Sequence, residues 1–174
     1  VEITDSVTCR IAENGALYSA IETNYYGWKI GADKHLLQSV ISIHAGTRLT
    51  HQYLNITNTA DTVCTGIVKD TKANVFRDAG DASRWGYVAT YGKQSLNNDN
   101  LGLVVFFKDS QSLGFAEDAN SHIVLLKPDA GVVNYYFAGV WELEQNGVTN
   151  EADFLAYVKA VAQELAVPVV VTLE

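Results

Sequence analysis

Methionine is absent from all 174 residues and Val1 occupies the first position, so a processed or truncated product with an upstream part missing is expected. The two prolines, Pro128 and Pro168, both stand at predicted element ends. Only two cysteines occur, Cys9 and Cys64, which allow at most one disulfide. Neither belongs to a Cys-x-x-Cys pair, which argues against a zinc site; two buried free thiols and one disulfide both remain open. No apolar run reaches the ~18 residues of a membrane-spanning helix. Basic residues are few, 12 Lys and Arg against 20 Asp and Glu, giving a net charge of −8 and a pI near 4.9. Nucleic acid and anionic membrane surfaces select basic faces and are therefore disfavoured as partners. An acidic polysaccharide is not, because a local Lys or Arg can hold a carboxylate inside an acidic protein. Gly-rich phosphate loops, nucleophile elbows and His-Glu-x-x-His motifs are also missing.

What is present is apolar and aromatic. Hydrophobic residues make up 48% and charged residues 18%, which describes one globular domain over 1–174 with a sizeable core. Short alternating segments separated by turns every ~8–12 residues predict an all-β antiparallel β-sandwich. The predicted strands include 1–10, 16–26, 35–45, 49–57, 62–68, 121–127 and 132–143, with 71–84 and 108–120 read as polar loops and 58–61 as a turn. Trp85 to Phe107 reads as a hairpin. One helix is predicted after Asn150, with Phe154, Val158, Val161 and Leu165 at helical spacing. It stops before Pro168, and 169–173 reads as a closing strand.

The hairpin concentrates the chemistry. Trp85, Tyr87, Tyr91, Lys93 and Gln94 offer rings, a cation and an amide within ten residues, the mixture that holds sugars. His51 and Tyr53 share one face of their strand, where imidazole and phenol can act as base and acid. Lys69 ends a strand, a place where side chains enter sites. In the strand over 132–143, alternation puts Tyr136, Ala138, Val140 and Glu142 on one face and Tyr135, Phe137, Gly139 and Trp141 on the other. The competing explanation of each aromatic is ordinary core packing. No metal and no cofactor is expected from these residues.

Several segments together resemble a known family, the bacterial domain-of-unknown-function family 4861. They are Tyr26-Gly27-Trp28-Lys29, the run Ser42 to Arg48, Thr65 to Lys69, Gly86 to Gln94, Leu101 to Val105, and Phe137 to Glu142; the helix and the terminal Pro-Val-Val-Val-Thr-Leu fit as well. The resemblance implies a galactose-mutarotase-like supersandwich, exported to the periplasm or beyond, in bacterial polysaccharide degradation. It also implies an upstream segment with a Trp-Glu-Ser-Asp-like motif, which is not present here. The chain is thus expected to be the C-terminal half of a longer protein, completed by an N-terminal half or second chain. The expected function is a lyase or hydrolase acting on a uronic-acid-containing glycan. Tyr91 or His51 would move protons, Lys69 and Lys93 would neutralise the carboxylate, and Trp85, Tyr87, Gln94, Trp141 and Glu142 would complete the sugar site. A non-catalytic glycan-binding or structural module that completes a partner chain is the alternative.

Overall fold

The computed structural model describes residues 3–57, 62–170 and 172. Eleven strands and one long helix carry the described fold. The strands are β1 (Ser6–Asn14), β2 (Tyr18–Ile30), β3 (Asp33–His44), β4 (Thr50–Ile56), β5 (Val63–Val68), β6 (Ala73–Asp78), β7 (Gly86–Gly92), β8 (Leu101–Phe107), β9 (Ser112–Glu117), β10 (Ser121–Leu126) and β11 (Val132–Trp141). The helix α1 spans Glu151–Ala166. Eight strands form one antiparallel sheet in the order β1-β2-β3-β4-β11-β8-β7-β6, and β5-β10-β9 form a second, so the chain is an antiparallel β-sandwich with a C-terminal helix. β11 lies between β4 and β8 and joins the β1–β4 meander to the β6–β8 meander.

Alternation along β11 decides what each face of the large sheet does, because successive side chains point to opposite sides. Val133, Tyr135 and Phe137 face the small sheet, where Phe107, Val124 and Leu126 form one cluster and Ile67, Val88 and Val105 another. Tyr136, Ala138 and Val140 face the other way, under α1, with Tyr87, Ala89, Tyr91, Val104 and Phe106. The helix is laid down by Phe154, Val158 and Ala162, spaced four apart and fully buried. Asn150 caps it by accepting from the Asp153 N–H at 2.9 Å, and Glu151 and Asp153 suit its positive end. Gly102 permits the close approach, since a Cβ there would stand 2.2 Å from the Phe154 ring.

Ion pairs centred on one carboxylate tie the small sheet to its edges. Glu117 of β9 meets Lys69 at 2.8 Å, Arg77 of β6, and His122 of β10 at 3.2 Å, while Lys69 Nζ also donates to the Asp118 carbonyl at 2.7 Å. The Lys69 ammonium and His122 hold the Glu117 carboxyl down to about 2, Lys69 contributing most.

The segments 71–84 and 108–120, expected as loops, instead contain β6 and β9. β6 is an edge strand and β9 is the edge of the small sheet, so their charged, exposed positions imitate loop composition. β2 runs on to Ile30, beyond the expected strand end at Tyr26, past a register shift at Gly27, whose φ is +64°. Residues 168–170 form no strand, and the rest of the expected closing strand lies largely outside the described residues, as do Val1, Glu2 and the turn over 58–61. Cys9 and Cys64 are free and exposed on different sheets, so they are neither bonded nor buried.

Candidate functional site

Where α1 ends, the outer face of the large sheet is uncovered and its side chains line an open cleft of ≈ 670 Å³. Antiparallel register brings the lining together from distant parts of the chain. His51 of β4 pairs with Tyr136 of β11, and Tyr136 with Phe106 of β8; Trp85 enters β7, and Lys108 leaves β8. Leu165, Ala166 and Pro168 form the wall made by the helix end, with Glu164 beside them. The Trp85 N–H donates to the Ala162 carbonyl at 2.9 Å, which fixes the helix end to the entrance of β7.

The rings form a continuous platform. His51 stacks on Tyr136 at 4.6 Å between centroids, and Trp85 tilts against Tyr136 at 5.5 Å. Lys108 Nζ lies 5.8 Å from the Trp85 ring centroid, within cation–π range. His51 Nε2 is 3.0 Å from Asn134 Oδ1. That oxygen only accepts, so Nε2 carries the hydrogen and Nδ1 keeps its lone pair.

Burial lowers the His51 pKa from its ordinary value, opposed by the Asn134 bond and assisted electrostatically by His44 and Lys108. The imidazole is therefore held neutral and able to take a proton. Burial alone raises the Tyr136 phenol, which stays protonated and able to give one. A neutral base, a protonated phenol, an amide and an ammonium thus share one aromatic cleft. Among the described residues no group of three or more His, Cys, Asp or Glu gathers as a metal site.

The other candidate residues lie elsewhere. Tyr91 and Tyr87 sit on the same face as Trp85 but beneath α1, where Tyr91 stacks on Phe154 at 5.1 Å and donates to the Val148 carbonyl at 3.2 Å. Gln94 closes the loop after β7 by bonding Thr90 Oγ1 and the Leu101 carbonyl at 3.0 and 2.7 Å. Trp141 Nε1 donates to Asp99 at 2.7 Å, and Glu142 accepts from the Asn100 N–H at 2.7 Å and its Nδ2 at 2.8 Å. These residues clamp the 93–100 loop at the opposite end of β7, with Lys93 exposed there. Lys69 belongs to the ion cluster of the small sheet.

Of the expected residues, then, the cleft gathers His51 and Trp85. Lys108, Asn134 and Tyr136 are the residues that local patterns missed. Tyr136 carried a usable signal, since it shares a β11 face with Asn134 and lies opposite that of Tyr135.

Fold and cleft define a β-sandwich protein with an aromatic, cationic pocket on its helix-bearing face. The chain belongs to the family described as "Domain of unknown function (DUF4861)", whose model matches residues 1–171. No curated protein and no solved structure matches the chain.

Proposed function

We propose that this is a carbohydrate-active protein of bacterial polysaccharide degradation, and that its cleft binds a uronic-acid-containing glycan and cleaves it by β-elimination. The observation that carries this is the His51 imidazole, held neutral with a free Nδ1 on a ring platform beside Lys108. In such a cleavage Lys108 neutralises the uronate carboxylate and so acidifies the adjacent C–H. His51 Nδ1 takes that proton, the C–H electron pair forms the new C=C bond, and the glycosidic C–O pair leaves onto oxygen. Tyr136 supplies the proton to that oxygen, and the His51 proton returns to Tyr136 through solvent. Trp85 offers a ring face to the sugar C–H surface. Elimination is favoured over hydrolysis because glycosidases use a pair of carboxylates, and among the described residues Glu164 is the one carboxylate lining this cleft. The periplasmic or extracellular setting belongs to the same proposal and rests on the resemblance stated above.

The test is to incubate the protein with a panel of uronate glycans and follow the ultraviolet absorbance of unsaturated uronate ends. Turnover abolished in His51→Ala and Lys108→Ala supports the elimination. Binding that depends on Trp85 without turnover in any form of the protein supports the non-catalytic module instead. Absence of both binding and turnover across the panel overturns the carbohydrate assignment.

A further inference from the structure

Beside the aromatic cleft lies a second cavity of ≈ 510 Å³, and Leu49 and Glu164 line both, so the two adjoin across these side chains. The turn before β4 contributes Arg48 to it, and the turn after β11 contributes Glu144, Gln145 and Asn146. The helix α1 adds Tyr157, Val161 and Glu164, which helical spacing puts on one face. Arg48 precedes His51 by three residues, so their Cα atoms lie within roughly 11 Å of each other. Successive rings of one glycan chain can span that distance.

The cation in this cavity is held in place. Arg48 Nε donates to Glu144 Oε1 at 2.8 Å, Nη2 donates to the Asn146 carbonyl at 3.1 Å, and the guanidinium lies 5.4 Å from the Tyr157 ring centroid. Two of its five N–H donors are used in these bonds, which leaves others for a ligand. Glu144 Oε1 also accepts from the Trp141 N–H at 3.1 Å, and Oε2 takes part in neither bond. Fixed donors and a spare carboxylate oxygen thus meet beside the apolar surface of Leu49 and Val161, a mixture that suits sugar hydroxyls and C–H faces. Charge separates the two cavities. Among the described residues Lys108 forms no ion pair, whereas Arg48 is already paired with Glu144, and Glu164 lines the same cavity. With one cation against two carboxylates, the second cavity repels a further carboxylate.

We propose that this second cavity binds a neutral sugar, so that the ligand of the whole site is a heteroglycan in which a uronate at Lys108 adjoins a neutral residue at Arg48. The inference rests on the uronate reading of the first cavity. Arg48 and Glu144 then set specificity. The fixed guanidinium donates to ring hydroxyls, Glu144 Oε2 accepts from them, and the charges of Glu144 and Glu164 turn away a second uronate.

The test is titration calorimetry on the His51→Gln protein, which lacks the base and so leaves the glycan intact. For galacturonate and for glucuronate, a homouronate tetrasaccharide is compared with one that alternates the uronate with rhamnose. The better-bound alternating chain should bind about tenfold more tightly than its homouronate counterpart. Arg48→Ala should remove that advantage by weakening the alternating chain. Glu144→Gln keeps the oxygen to which Arg48 and the Trp141 N–H donate but removes the charge, so it should raise homouronate affinity severalfold, a gain that a damaged fold does not produce. Equal binding of the two kinds of tetrasaccharide, or a preference that both variants leave intact, overturns the proposal while the uronate reading stands. Failure of every tetrasaccharide to bind overturns that reading and this proposal together.

Discussion

Gly102 and Phe154 meet where helix and sheet approach most closely, and their pairing makes a quantitative prediction. Phe154 is fully buried and stacks on Tyr91. Phe154→Ala removes a ring from a packed site and should cost roughly 3–5 kcal/mol. Gly102→Ala places a methyl 2.2 Å from the Phe154 ring, so the helix must lift, at roughly 1–3 kcal/mol. When both substitutions are combined, the methyl introduced in place of Gly102 enters space the ring has left. The double variant should therefore unfold about as readily as Phe154→Ala alone, with a coupling of about 1–3 kcal/mol in its favour, the whole of the Gly102→Ala loss. For a chain of this size each kcal/mol moves the Tm by about 2–4 °C. Urea titration of the four proteins of this cycle, read by tryptophan fluorescence and by circular dichroism, supplies the values. Strictly additive losses would refute the claim that Gly102 is required by this ring.

Four other outcomes rest on single side chains. His51 has a lowered folded pKa, so its unfolded form takes up protons first: stability should fall as pH drops below the ordinary histidine value and level off below the folded one, and His51→Gln should lack that component in paired pH–stability curves. Glu117, held down to about 2, contributes stability fully above its ordinary 4.5 and loses it as pH falls toward 2; the gap between wild type and Glu117→Gln in chemical denaturation should therefore close over that window. Trp141→Phe removes the donor to Asp99 and should lower the urea midpoint while leaving glycan affinity unchanged in calorimetry, whereas Trp85→Ala should weaken that affinity by about 0.5–1.5 kcal/mol.

The strands that alternate over buried neighbours, β2–β4, β7, β8 and β11, were legible because burial of one or both faces imposes pattern on sequence. β6 and β9 were not, because Ala73–Asp78 and Ser112–Glu117 lie at sheet edges where charge is tolerated. The cleft was legible only in part. His51 and Trp85 stood out by residue type, but Asn134, Tyr136 and Lys108 reach them through pairing of β4 with β11 and β11 with β8, over separations no local window spans. Trp85, Tyr87 and Tyr91 read alike in sequence. They part company because α1 covers the sheet above Tyr87 and Tyr91 and ends short of the open side of Trp85.

β11 also governs how the molecule comes into being. Strands β1–β4 and β6–β8 are each made of neighbours in sequence and can pair as soon as they are synthesised. Neither meander touches the other within the large sheet until the last strand, Val132–Trp141, arrives and pairs with both. Completion therefore waits on contacts of long sequence separation, whose loop-closure entropy is lost before any burial compensates it. Until then β4 and β8 are both open edges, and the His51 side of the cleft has no partner for its ring. On the ribosome this chain should consist of two waiting half-sheets that become one protein late, and the step that joins them also assembles the cleft.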